Sequence, residues 1–178
     1  MSIDVIAGAT AGPFAAACAV LVFAGVSKIR RPLATRPAAT ALGLPASPVA
    51  VRVLGGTEVV AACTALAVGG VAAAVVAVLY VALALAAWRL FVRSPGTACG
   101  CLGASDAPVT PTHVIVNLAA ACVAGVATAT GSPLTEVGSS AWSRVAFVTL
   151  VGCCAWLVAL LLDAVPALNA AVRQGGSR

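Results

Sequence analysis

The stretch that decides the fold is residues 71–90, VAAAVVAVLYVALALAAWRL, in which Arg89 is the only charged residue. A helix needs about 20 mostly apolar residues to cross the hydrocarbon core of a bilayer. A helix also satisfies its own backbone hydrogen bonds, which an open strand in lipid cannot do. This stretch therefore predicts a membrane-spanning helix.

Comparable apolar runs lie on both sides of this stretch. With residues 71–90 they make five predicted spans, the others being 5–26, Pro48–Val68, 111–130 and 142–163. Prolines at positions 32, 37, 45 and 48 predict that the first connection is broken into short helical pieces. The sequence thus predicts an all-α integral membrane protein, with ordinary close packing of small residues around Gly8 and Gly12.

The composition of the chain excludes several other classes of protein. Of its 178 residues, 62% are hydrophobic and 8% are charged, whereas soluble proteins average about 25% charged residues. There is too little polar surface to cover a soluble enzyme. The net charge of +5 does not indicate nucleic-acid binding, because the basic residues lie at the ends of apolar runs.

The basic residues also predict an orientation in the membrane. Nine of the ten Lys and Arg residues fall on one side of the five predicted spans, and only Arg144 falls on the other. Cytoplasmic loops are enriched in Lys and Arg. We therefore expect the N-terminus outside, the C-terminus in the cytoplasm, and the 94–110 loop on the cytoplasmic side.

Two of the seven cysteines have an unusual setting. Cys99 and Cys101 lie in the glycine-rich segment GTACGCLG, whereas the other five lie inside predicted spans, where thiols are usually inert. A Cys-Gly-Cys disulfide closes a small, strained ring that favours exchange over permanent bridging. Three interpretations remain open: a redox pair, half of a metal site completed by a partner chain, or two ordinary loop thiols.

Four polar residues in or next to the spans are candidates for a structural or functional role. Glu58 lies about ten residues into its span, and we expect it to pair with Lys28 at the end of the first span, since a carboxylate in hydrocarbon usually has a partner. The pair could be structural, or it could transfer protons or anchor a ligand. His113 and Asn117 share one helix face close to the Cys99–Cys101 loop. His113 could shuttle a proton and Asn117 could orient the loop, or His113 could face lipid head groups.

Four of these elements together resemble a known family. They are FAGVSKIR at 23–30, GTEVV at 56–60, CGCLG at 99–103 and VNL at 116–118. Their order and spacing are similar to those of the MauE family of methylamine utilisation membrane proteins and, more broadly, of DoxX-like membrane proteins. The resemblance covers about residues 10–130, and Cys-Gly-Cys is its most specific part. Leu102 and Val116 depart from the aromatic and basic residues usual in the family.

The resemblance implies a four-helix membrane domain over residues 1–132, with a fifth helix and a basic tail over 133–178. It implies membrane thiol–disulfide exchange through Cys99 and Cys101 with a thioredoxin-like partner, in the maturation of exported proteins of methylamine metabolism. An architectural analogy to vitamin K epoxide reductase-like proteins adds a membrane quinone as a candidate cofactor; we expect no metal and no nucleic acid.

The orientation and the implied function conflict, because disulfide formation in exported proteins needs thiols outside the cytoplasm. If the thiols lie inside, they would receive electrons from cytoplasmic thiols or sense redox state. The alternative function is a non-catalytic scaffold whose loop docks a partner. A solute transporter is a weaker hypothesis, because the chain lacks paired broken helices and an inverted repeat.

Overall fold

The chain is a bundle of helices, in a computed structural model that describes residues 3–98, 108–130, 132 and 140–175. Its helices are α1 (Ile3–Arg30), a short 3-10 turn (Pro32–Thr35), α2 (Arg36–Ala41), α3 (Pro48–Val68), α4 (Val71–Arg93), α5 (Pro111–Ala127) and α6 (Ala141–Gly175). Four of these helices are long and apolar enough to cross a membrane, and α5 is a shorter apolar helix. The all-helical membrane fold is thereby confirmed.

Several helix boundaries differ from the sequence predictions. Helix α1 continues past residue 26 to Arg30, which places Lys28 within the helix. Helix α5 ends at Ala127, where the hydroxyls of Thr128 and Thr130 donate to the carbonyls of the last turn. Helix α6 continues well past residue 163, to Gly175. The hydroxyl bonds of Thr128 and Thr130 satisfy the free carbonyls at the end of α5, and so they favour its end at Ala127.

Local sequence explains where the inner helices begin and end. Ser47 caps α3 through its hydroxyl, which accepts a hydrogen bond from the Ala50 N–H (3.1 Å), and Pro48 occupies the first helical position. Gly69 and Gly70 both have positive φ and form a tight turn from α3 to α4. This turn makes α3 and α4 antiparallel neighbours.

The core lies where α1, α3, α4 and α5 meet. Its largest buried apolar side chains are Phe14, Leu21 and Val76, among many alanines. Helix α1 packs mainly on α3, and α4 packs mainly on α5. Helix α6 contacts chiefly α1, and only 6% of its span is buried. The fifth span is thus attached to the edge of a four-helix core.

The first connection forms two short helical pieces, as its prolines predict. We call residues 31–47 the strap. Gly43 (φ +71°) ends α2, because the Leu44 N–H can then turn back and donate to the Ala39 carbonyl (2.9 Å). The strap packs against the bundle through Pro32, Thr35, Ala38 and Ala39, which are buried.

Candidate functional site

The structure brings Lys28 and Glu58 together in the interior. The Lys28 ammonium nitrogen lies 2.7 Å and 2.9 Å from the two carboxylate oxygens of Glu58. Both side chains are almost fully buried, at 2% and 1% exposure. Each charge thus has its partner where water is excluded, and the contact joins α1 to α3 at the end of the bundle that carries the 94–110 loop.

Two glycines allow this contact. A Cβ atom placed on Gly55 would lie 2.5 Å from the Gly25 carbonyl oxygen and 3.0 Å from the Lys28 Cβ. A Cβ on Gly25 would lie 2.5 Å from the Gly55 carbonyl oxygen and 3.2 Å from the Glu58 Cβ. The stem of each charged residue therefore passes over the glycine of the opposite helix. Gly25 precedes Lys28 by three residues and Gly55 precedes Glu58 by three, so the two helices contribute equivalent halves of the crossing.

The expected packing at Gly8 and Gly12 is wrong. A Cβ on either glycine would meet no described atom within 4 Å. Both residues lie in the first half of α1, far from the crossing with α3. The close approach of α1 to its neighbour is at Gly25, where a second glycine on α3 faces it.

The two ends of the Cys99–Cys101 loop meet. Ala98 and Pro108 form an antiparallel bridge, and the Val109 N–H donates to the Thr97 carbonyl (3.1 Å). We call this contact the loop base. Cys99 and Cys101 themselves lie outside the described residues. The loop base therefore joins the residues on either side of positions 99–107, between α4 and α5.

His113 caps the helix that follows the loop. Its Nδ1 accepts a hydrogen bond from the Thr110 backbone N–H (3.3 Å) and lies 3.1 Å from the Thr110 hydroxyl oxygen. The backbone N–H of His113 in turn donates to the Thr110 side chain, which completes a capping box. An Nδ1 that accepts is unprotonated, so the neutral ring carries its proton on Nε2. His113 is buried, at 6% exposure.

Asn117 lies one turn further along α5. Its side-chain amide donates to the His113 carbonyl (2.7 Å) and so stays on the helix that His113 caps. The structure therefore connects Thr110, His113 and Asn117 into one group at the start of α5. Lys28 and Glu58 form a separate group at the same end of the bundle, between α1 and α3.

The strap contacts the loop base. Ala38 packs with Ala87 and Leu90 of α4 and with Val109, and Leu42 lies against the same cluster. Sequence reasoning missed this contact, because nothing in the local pattern of the strap indicates which helix it packs on. The loop base thus lies beside the strap.

Tyr80 is a further buried polar residue that sequence reasoning missed. Its hydroxyl donates to the Ala17 carbonyl (2.6 Å), and it is 2% exposed. The bond joins α4 to α1 within the core. The signal was available: Tyr80 is the single tyrosine of the chain, inside an otherwise aliphatic run.

The five cysteines that the structure describes lie on helices. Cys18 is buried, Cys154 is half-buried, and Cys63, Cys122 and Cys153 are exposed on the outer faces of apolar helices. An exposed face of a membrane-spanning helix meets lipid, where thiols have no access to water. These positions provide matched controls for the loop thiols.

The fold and the site together define a multi-pass helical membrane protein with a buried Lys–Glu pair and a clamped cysteine-containing loop at one end. The family model of the methylamine utilisation protein MauE matches residues 7–130. The chain belongs to the MauE family, which confirms the resemblance seen in its sequence. No curated protein and no solved structure matches the chain.

Proposed function

We propose that this protein exchanges disulfides with a thioredoxin-like partner through Cys99 and Cys101, and so supports the maturation of exported proteins of methylamine metabolism. The observation that carries the proposal is the loop base. The Ala98–Pro108 bridge and the Val109–Thr97 hydrogen bond join the residues that flank positions 99–107, next to the start of α5. This fixes where the segment that contains both cysteines leaves and rejoins the bundle, which supports a role of that segment in contact with a partner.

The exchange has two balanced steps. One loop thiolate attacks a sulfur of the partner disulfide, which forms a mixed disulfide and releases the other partner sulfur as a thiolate. The second loop cysteine, as a thiolate, then attacks the mixed disulfide, which leaves an oxidised loop and a reduced partner. Two electrons pass to the partner and the loop loses two protons. The reverse sequence oxidises the partner instead.

His113 and Asn117 have supporting roles in this proposal. Because Nδ1 of His113 already accepts from Thr110, an exchange of protons with a loop thiol would use Nε2. Asn117 holds the first turn of α5 through its bond to the His113 carbonyl. Lys28 and Glu58 lock α1 to α3 and take no part in the chemistry. The proposal assigns exchange to residues 1–132 and leaves 133–178 as an attached helix and tail.

Two apolar cavities among the described residues lie away from the loop base. One apolar cavity of about 180 Å³ lies between α1 and α6, at Ala19, Phe23 and Trp156. Another, of about 420 Å³, lies on the outer face of α3 and α4 around Gly56 and Val75. Neither is lined by a residue of the loop base, so we derive no step through a quinone.

Trapping of the mixed disulfide tests the proposal. Cys101→Ser removes the resolving thiol, so a partner attacked by Cys99 should remain covalently attached and be released by reductant. Cys153→Ser, at an exposed position on α6, is the matched control and should leave exchange unchanged. Full exchange in the Cys99→Ser/Cys101→Ser variant would refute the proposal. Function that survives Cys99→Ala/Cys101→Ala but not deletion of the loop would support the scaffold.

The side of the membrane needs its own measurement. We place the protein in the cell membrane, and thiol labelling of intact cells with an impermeant maleimide locates the loop in a variant that retains only Cys99 and Cys101. Labelling that requires mild reduction first places an oxidised pair outside and supports the export role. Labelling only after permeabilisation places the pair inside, as the basic residues predict, and replaces the export role with electron input or redox sensing.

A further inference from the structure

The end of the bundle that carries the loop is strongly basic. Among the described side chains there, six arginines are exposed: Arg30, Arg31, Arg36, Arg52, Arg89 and Arg93. Among the side chains at this end whose burial the structure describes, the acidic one is Glu58, which is buried and paired with Lys28. The exposed charges of these described side chains are therefore all positive.

Four of these arginines gather where α1 meets the strap. Arg30 is the last residue of α1, Arg31 follows it, and Arg36 begins α2. The Arg52 Nε lies 3.4 Å from the Ile29 carbonyl oxygen, which holds its guanidinium group at the end of α1. Guanidinium groups bind phosphate oxygens through paired hydrogen bonds.

The same surface exposes apolar side chains. Leu33 is 61% exposed and Leu44 is 55% exposed, and both belong to the strap. The opposite face of the strap is buried against the bundle through Ala38 and Ala39. A segment with basic and apolar residues on its free face, at the level where membrane helices end, is typical of the lipid interface.

We propose that the strap and the adjacent end of α3 form a binding site for the phosphate groups of anionic phospholipids, with Arg30, Arg31, Arg36 and Arg52 as the phosphate-binding residues. Leu33 and Leu44 favour a lipid over free phosphate, because they need an acyl-chain region beside the bound charge. A lipid is also favoured over an acidic protein, because the neighbouring spans place this surface at the bilayer.

Lipid binding at this site would also bear on the proposed exchange. The buried face of the strap contacts Leu90 and Val109, next to the loop base. Occupancy of the arginines should therefore hold the strap against the loop base. This consequence rests on the proposed function, whereas the binding site does not, and lipid binding is measured below without using the loop thiols.

Native mass spectrometry and thermal unfolding of the purified full-length protein in detergent test the site. We expect phosphatidylglycerol to remain bound and to raise the unfolding temperature, and phosphatidylcholine and inorganic phosphate to do much less. The Arg30→Gln/Arg31→Gln/Arg36→Gln variant should bind phosphatidylglycerol at least tenfold more weakly, since it removes three of the four guanidinium groups that contact the phosphate. The corresponding Arg→Lys variant keeps the charge but not the paired hydrogen bonds, so its binding should lie between that of the Gln variant and that of the unmodified protein.

Two controls separate a local site from general charge. Arg144→Gln removes an exposed arginine from the other end of the bundle, and Arg89→Gln/Arg93→Gln removes two from α4 at the same end. Both should bind phosphatidylglycerol nearly as the unmodified protein does. Equal responses to phosphatidylglycerol and phosphatidylcholine would overturn the proposal, as would equal losses in the α4 control. If the Arg30→Gln/Arg31→Gln/Arg36→Gln variant still bound phosphatidylglycerol but no longer exchanged disulfides with the partner, the arginines would be assigned to partner binding instead.

Discussion

Helix α1 packs on α3 and on α6 in two different ways. Against α3 its backbone comes close at Gly25 and Gly55, and a buried ion pair lies beside that crossing. Against α6 its contact is apolar, and it leaves a cavity of about 180 Å³ lined by small residues such as Ala19, Gly152 and Ala155. The first contact has no room for a Cβ atom at its two glycines, whereas the second leaves a cavity unfilled.

The difference shows where this bundle gains specificity in lipid. Apolar faces alone choose partners poorly in a membrane, because lipid tails are as apolar as the helices. Close backbone approach and a buried charge pair admit one register only. We therefore expect substitutions at the α1–α3 crossing to have large effects and those at the α1–α6 contact to have small ones.

The largest effect is expected when one member of the ion pair is removed. Lys28→Met leaves the short Glu58 side chain unpaired about 15 Å along α3 from its start, where it cannot reach the head groups. Breaking a buried pair in this way costs about 3–5 kcal/mol. Thermal unfolding in detergent should show a lowered midpoint and a low yield of folded protein.

The matched double variant Lys28→Met/Glu58→Leu removes both charges and should recover most of the lost stability, because no unpaired charge remains buried. Glu58→Gln alone should cost less than Lys28→Met, since Lys28 lies two residues from the end of α1 and its long side chain can reach water. A double variant as unstable as Lys28→Met would show that the pair does more than neutralise charge.

The second prediction concerns the glycine crossing. Gly55→Ala places a methyl group 2.5 Å from a backbone carbonyl of α1, so the helices must separate. Overpacking of this kind costs about 1–3 kcal/mol, and the separation should also weaken the Lys28–Glu58 contact. Unfolding temperatures of Gly55→Ala and Gly25→Ala should both fall.

Gly56→Ala is the control, because a Cβ there meets nothing within 4 Å and alanine favours a helix. This neighbouring substitution should be neutral or slightly stabilising. If Gly55→Ala and Gly56→Ala behave alike, the close approach of α1 and α3 is not a source of stability.

Much of the architecture could be predicted from the sequence, for a physical reason. Long uncharged runs in a chain with little polar surface permit few structures other than membrane helices. The partnership of Lys28 and Glu58 was predictable because each is a charge inside or at the edge of hydrocarbon and each needs the other. Family membership was predictable from the Cys-Gly-Cys segment and its flanking elements.

The glycine contact was not predictable in the same way. The chain has 17 glycines, and spacing favoured Gly8 and Gly12 as the packing pair. Which glycines meet depends on the register between two helices distant in sequence. The packing of the strap on Val109 is also a long-range contact. Cys99 and Cys101 lie outside the described residues, so their roles stay predictions.

The third prediction concerns the bond between α4 and α1. Tyr80→Phe removes the hydroxyl that donates to the Ala17 carbonyl and keeps the ring in the core. Hydrogen bonds between membrane helices contribute about 0.6 kcal/mol on average, so the unfolding midpoint should fall slightly. The midpoint of Tyr80→Leu, which also loses the ring packing, should be lower still. If Tyr80→Phe lowered the midpoint as much as Gly55→Ala does, the main source of specificity would be the contact of α1 with α4 rather than with α3.

The smallest effect is expected at the α1–α6 contact. Gly152→Ala adds a methyl group to a residue that lines the cavity between these helices and has nothing within 4 Å of its Cβ position. Alanine is preferred over glycine in a helix by about 1 kcal/mol, so the unfolding midpoint should stay the same or rise slightly. The same chemical change thus has opposite expected signs at Gly55 and Gly152, and a parallel thermal measurement compares them directly. A clearly lowered unfolding midpoint for Gly152→Ala would mean that α6 packs against α1 as tightly as α3 does. The contrast between the two contacts would then disappear.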